Sequence, residues 1–169
     1  MKDVKEILSG KKTGIVKKCF NLAIEAYPPQ TADILKREGD RFLNPVGFTI
    51  RTEIENIFEE VIGSMDTRRL IGCLENVIKI GAIQNFPPSE AVSFVYLLKR
   101  SIRDELLDIK PTRVGDGGWE AEKDRIEQLS EMESRLDRVA LLAFDVYMKC
   151  REKIHEIKLK ETKSPHGRR

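Results

Sequence analysis

Asn44-Pro45-Val46-Gly47-Phe48-Thr49-Ile50-Arg51-Thr52-Glu53-Ile54-Glu55-Asn56-Ile57-Phe58-Glu59-Glu60-Val61-Ile62 carries the clearest helix signal in the chain. Asparagine caps a helix by accepting from an orphan backbone N–H, and Pro45 then falls at the first helical position, where its missing N–H costs nothing. Val46, Ile50, Ile54, Ile57, Phe58, Val61 and Ile62 follow three and four apart, so they share one face. Arg51, Glu53, Glu55, Glu59 and Glu60 belong to the opposite face and are expected in water. No strand-like alternation interrupts the pattern. This is an amphipathic helix laid on a core.

The same period continues toward the C-terminus. Asp66 is placed to cap a helix whose apolar stripe is Leu70, Ile71, Leu74, Val77, Ile78 and Gly81. Pro87-Pro88-Ser89 opens another. Its stretch Ala91-Val92-Ser93-Phe94-Val95-Tyr96-Leu97-Leu98 is apolar nearly all round, as in a helix enclosed by its neighbours, before turning amphipathic through Ile102, Leu106 and Ile109. Lys110 to Gly118, with one proline and three glycines, is the long loop. From Trp119 to about Lys160 the pattern is helical without a break, roughly 60 Å at ~1.5 Å per residue. Such a helix outruns a domain of this size, so it has to kink, project or pair.

Toward the N-terminus the signals weaken. Val4, Ile7 and Leu8 suggest a short opening helix. Ile15, Val16, Cys19, Phe20, Ala23 and Tyr27 form a second, stopped by Pro28-Pro29. Thr31 to Glu38 reads as a weaker turn of helix ending at Gly39. The fold class is all-α, a helical bundle with a long C-terminal helix.

Composition narrows the function. The 169 residues hold 30 basic and 28 acidic side chains, so no strong field draws nucleic acid or an anionic membrane. Lys11, Lys12, Lys17, Lys18 and the tail from Lys158 to Arg169 are local exceptions, without the interleaved aromatics a base-stacking platform needs. The start, Met1-Lys2-Asp3-Val4, lacks the apolar run of a signal peptide, and no stretch reaches the ~20 apolar residues of a membrane span. Cys19, Cys73 and Cys150 are odd in number and widely separated, as reduced core thiols are. A cytoplasmic protein is expected.

Chemistry is sparse. His155 and His166 are the two histidines, both near the C-terminus, and no nucleophile elbow, phosphate-cradling loop or zinc-binding pair occurs. No enzyme is expected, and no cofactor or metal. With no histidine in residues 1–154 the usual haem ligand is missing. Phe48, Phe58, Phe94 and Tyr96 are candidates for lining a small apolar pocket between helices, against the plainer reading that they are core. Along the last helix Ile126, Leu129, Leu136, Ala140, Ala143, Tyr147, Cys150, Ile154 and Ile157 hold a seven-residue seam, interrupted at Glu133. The flanking Arg151, Lys153 and Lys158 would repel across a parallel pair. A homodimer is therefore expected through Ala140, Ala143, Tyr147, Cys150 and Ile154, with residues 1–150 as the domain proper and 151–169 as a helical extension and disordered basic tail.

Two segments together carry a resemblance. Asn44-Pro45-Val46-Gly47-Phe48 opens one helix, and Phe86-Pro87-Pro88-Ser89-Glu90-Ala91-Val92-Ser93-Phe94, followed by Leu97-Leu98-Lys99, opens another. From about Val4 to Lys160 the chain resembles the N-terminal sensor domain of RsbR-type co-antagonists of the RsbT kinase. The resemblance implies a globin-like fold without haem, used as a dimeric sensing module of the stressosome, here expected in free-standing form because no phosphorylatable STAS domain follows. A sensor or regulatory module acting through its dimer or terminal helix is the leading expectation. The alternative is an accessory protein that binds a small ligand or a partner, such as a redox complex.

Overall fold

The computed structural model describes residues 4–37, 41–107 and 118–162. Among these residues there are seven helices and no strand: α1 (Val4–Ile24), α2 (Pro29–Lys36), α3 (Pro45–Ile62), α4 (Thr67–Ile83), α5 (Pro88–Ala91), α6 (Ser93–Leu107) and α7 (Gly118–Thr162). The long loop expected at Lys110–Gly118 lies largely outside the described residues, as do Gly39 and the basic tail beyond Thr162.

α1 is one helix of 21 residues where two were expected. Gly10 and Gly14 stand between the two expected runs, and a Cβ at either would meet nothing within 4 Å. Both glycines therefore face open space and cost the helix only its propensity, ~1 kcal/mol each. Burial of Val4, Leu8, Ile15, Val16, Cys19, Phe20 and Ile24 along the opposite face outweighs that.

α3 and α4 begin where the local signals put them. Asn44 accepts from the Gly47 N–H at 3.0 Å, and Asp66 accepts from the Arg69 N–H at 3.0 Å. Two side chains of α3 depart from the expected faces. Val46 is exposed, and Glu60 is buried. Glu60 is tolerated inside because the Ser64 hydroxyl, the Asp66 N–H and the Arg69 guanidinium all donate to its carboxylate, bracing the α3–α4 corner. The helix expected from Pro87 onward is divided into two at Val92, whose carbonyl takes the Val95 N–H at 3.2 Å in a tighter turn.

Ion pairs set how the helices lie. Lys11 and Lys18 of α1 reach Glu105 and Asp104 of α6, and Lys12 reaches Glu55 and Glu59 of α3. These N-terminal lysines are thus engaged within the fold. On α7, Arg125 donates to the Leu106 carbonyl, Glu133 pairs with Arg103 and Asp137 with Lys99, so α6 and α7 run antiparallel. Arg135 donates to the Val61 and Gly63 carbonyls before α4, whereas Arg151 lies at the end of α4 by Ala82 and Asn85. α4 and α7 therefore run parallel, matched over the whole length of α4. One buried apolar cluster joins α1, α3, α4, α6 and α7, with Phe20 and Phe58 at its centre.

Candidate functional site

Where α1, α3, α4 and α6 converge they leave a small crevice. Tyr27, Ile50, Gly81, Phe86, Ala91 and Phe94 line it, with Glu90 and Ser93 among the neighbouring polar groups, and its volume is about 30 Å³. That holds roughly one or two waters and excludes a drug-sized molecule without rearrangement. The Phe86 ring meets the Tyr27 ring edge-on, centroids 5.0 Å apart. Small residues at Ala23, Ala26, Gly81 and Ala91 keep the space open.

Of the four aromatic residues read as pocket candidates, Phe94 alone lines this crevice. Phe58 is wholly buried in the core, and Phe48 and Tyr96 are on the surface, 45% and 57% exposed. The four share no pocket among the described residues. Phe48 belongs instead to a shallow depression at the start of α3, beside Arg41, Phe42 and Pro45. The helix holding Tyr96 is not enclosed as its all-round apolar sequence suggested, because one side of α6 faces solvent. Spacing alone would not have found Tyr27 and Phe86, which flank proline pairs and looked like helix ends.

Ala140, Ala143 and Tyr147, expected at a two-fold axis from their spacing, are buried inside their own chain. Cys150 and Ile154 are partly buried against the same core. The Tyr147 hydroxyl donates to the Phe86 carbonyl at 2.8 Å. The small side chains at 140 and 143 let α7 lie close to the bundle, and that contact takes up the seam from Leu136 to Tyr147, while Ile126 and Ile157 at its two ends are exposed. A second stripe, Leu141, Phe144 and Met148, is turned outward, 71%, 47% and 44% exposed. Its three-and-four spacing is visible in the sequence beside the stronger seam. Beyond Ile154 every described residue of α7 is exposed.

The described residues offer little to hold a reaction. No group of three or more His, Cys, Asp or Glu side chains among them is gathered as a metal ion would need. Burial pushes the Cys19 thiol up to about 12, and its Sγ lies 3.5 Å from the Phe94 carbonyl. Cys73 is also pushed up to about 12, by burial and then by the Glu53 carboxylate. Raised thiols are poor nucleophiles at neutral pH. Among the described residues no helix is long and apolar enough to cross a membrane.

A family model described as the RsbT co-antagonist protein rsbRD N-terminal domain matches residues 14–161. No curated protein and no solved structure matches the chain.

Proposed function

The chain belongs to the family of RsbT co-antagonist rsbRD N-terminal domains, and on that footing we propose that it is a non-catalytic sensing and regulatory module of a bacterial signalling system. It acts in the cytoplasm through dimerisation or through its terminal helix, on a protein partner. In this reading residues 1–150 are a globin-like sensor scaffold used without haem, and the extension from 151 onward passes the signal on. The match spans the bundle and nearly all of α7, so the long helix is part of what the family shares.

The observation that carries the reading is the outward face of α7. The middle of its inward face packs on the domain, which leaves the stripe of Leu141, Phe144 and Met148 as the face of α7 on which a dimer would form. The pairs Arg103–Glu133 and Lys99–Asp137 set an antiparallel register that, one turn further, brings the exposed Tyr96 level with Ala140 and Leu141. Two rings and two aliphatic side chains on neighbouring helices gain ~25 cal/mol per Å² when a second copy covers them, and tyrosine tolerates a wet rim.

Two measurements test this. Leu141→Glu with Phe144→Glu should shift the protein to monomer in sedimentation with its helical circular dichroism intact; a wild type that is already monomeric at high concentration refutes the dimer. Exchanging residues 14–161 for the N-terminal domain of an RsbT co-antagonist should give a fusion that still antagonises RsbT. A folded fusion without that control would overturn the regulatory role.

A further inference from the structure

The inward contacts of α7 point to something more specific than packing. Past Asp137, whose carboxylate takes Lys99 at 2.8 Å, the polar contacts of α7 with the bundle converge on the corner between α4 and α5. Tyr147 donates its hydroxyl to the Phe86 carbonyl at 2.8 Å. Arg151 reaches the Ala82 carbonyl at 3.5 Å and Asn85 Oδ1 at 3.3 Å. Ala82 belongs to the last turn of α4, where the carbonyl end of the helix dipole favours a guanidinium. The corner itself is tightly wound: Phe86 N–H returns to the Gly81 carbonyl at 3.0 Å, and Asn85 takes a left-handed φ of 61°.

Phe86 faces two ways. Its carbonyl is held by α7, while its ring lines the crevice and meets the edge of Tyr27. The ring is also seated on α4, since a Cβ on Gly81 would stand 3.4 Å from Phe86 Cδ2. A rearrangement of the crevice that displaces this ring also displaces the peptide that Tyr147 holds. Beyond Tyr147 only Cys150 and Ile154 of the described α7 hydrophobics pack on the core, and the residues from His155 to Thr162 are exposed. Within the distal half, Leu142, Ala143, Val146 and Tyr147 sit on the core before this corner, and past it only Cys150, Arg151 and Ile154 among the described residues hold the helix.

We propose that the α4–α5 corner is a latch: the placement of the Phe86 ring in the crevice governs whether the distal half of α7 is docked on the domain or released. The inference deepens the regulatory reading and rests on it for its purpose. Its test uses the chain alone, so failure here would leave the family role standing, and failure of the RsbT fusion would leave the coupling standing.

Hydrogen–deuterium exchange of the full chain reads the latch, with residues 141–160 as the reporter and 122–136 as the internal reference. Tyr147→Phe removes the hydroxyl and should speed reporter exchange about fivefold, the effect of one net hydrogen bond, with the reference unchanged. Tyr27→Leu, on the segment after α1, removes the ring that Phe86 leans on and should speed the same reporter by a similar factor. Tyr27→Phe keeps the ring and should behave as wild type. The double variant Tyr27→Leu/Tyr147→Phe should exchange no faster than the quicker single, because both open one latch. A reporter unmoved by Tyr27→Leu, or factors that multiply in the double variant, would overturn the coupling. Should Tyr27→Leu weaken the whole chain, Phe86→Leu shrinks the ring in the crevice while keeping the carbonyl that Tyr147 holds; a change confined to 141–160 supports the latch, and no change there overturns it.

Discussion

Asn44 does more than cap α3, and replacing it separates two accounts of the α2–α3 joint. Its Oδ1 accepts from the Gly47 N–H at 3.0 Å, the ordinary N-cap contact. Its Nδ2 points the other way, donating to the carbonyls of Leu35 at 2.9 Å, Ile34 at 3.2 Å and Arg37 at 3.2 Å. One amide therefore closes the end of α2 and the start of α3 together, at a residue that is 7% exposed. Loss of an N-cap alone costs ~1 kcal/mol. Stranding buried carbonyls adds ~1–3 kcal/mol, so Asn44→Ala is expected to cost about 2–4 kcal/mol. Asn44→Asp is the discriminating variant, because aspartate caps as well as asparagine. Here its second oxygen would replace Nδ2, 2.9 Å from the Leu35 carbonyl, and add charge at the negative end of α2. The aspartate variant should be no more stable than the alanine variant, measured as a shift in urea midpoint at constant slope. An aspartate variant within ~0.5 kcal/mol of wild type would refute the double role. Gly47→Ala offers an independent check. A Cβ there would stand 2.5 Å from Asn44 Nδ2 and 2.6 Å from the Leu35 carbonyl, so a change that normally favours a helix by ~1 kcal/mol should instead destabilise it.

Arg135→Ala should cost ~1–3 kcal/mol, since the guanidinium donates to both the Val61 and Gly63 carbonyls as well as to Glu131; a cost within the noise of chemical denaturation would mean that α7 needs no anchor there. The pH dependence follows from Cys19. The folded thiol keeps its proton to about 12, while the unfolded one releases it near 9.0, so ionisation favours unfolding and stability should fall as pH rises between them. Thermal melts at pH 8 and pH 10 check this, and Cys19→Ala should reduce the difference without abolishing it, since Cys73 is raised in the same direction. Asp104 acts at the opposite extreme: the hydrogen bond from Lys18 holds its carboxyl low, and that contribution is lost as pH drops below 3.8. Purified protein should show no Soret band, because residues 1–154 contain no histidine to hold a haem iron; a band that survives dialysis would refute this.

Much of the fold was legible because helix starts are local events. Asn44-Pro45, Asp66 and Pro88 each act within one turn, where the chemistry that caps a helix is written in the residue itself. The misreadings came from long-range terms. α1 looked like two helices because its apolar stripe lapses between Leu8 and Ile15, and the burial that joins the two runs comes only with the fold. Glu60 looked wet because its partners, Ser64, Asp66 and Arg69, come together only once the α3–α4 corner has turned. The crevice was unreadable for a related reason. Tyr27 and Phe86 are about 60 residues apart and each borders prolines, so no period links them.

The seam of α7 shows the limit most clearly. Periodicity gives the angles between side chains on a helix, and so it correctly put Ala140, Ala143 and Tyr147 on one face. It does not say whether that face meets the same chain or another. Length could not decide either: a helix of 45 residues is about 67 Å long and must leave some surface uncovered, yet the uncovered surface can be an end or a side. Small residues are the useful clue in retrospect. Alanine at 140 and 143 permits close approach to α4, with tyrosine at 147 reaching across to the Phe86 carbonyl. A seam so well fitted inside the domain leaves Leu141, Phe144 and Met148 as the apolar face open to a second chain. On the reading proposed above, the two faces of one helix divide the work: the inner face registers the state of the bundle, and the outer face presents that state to a second chain.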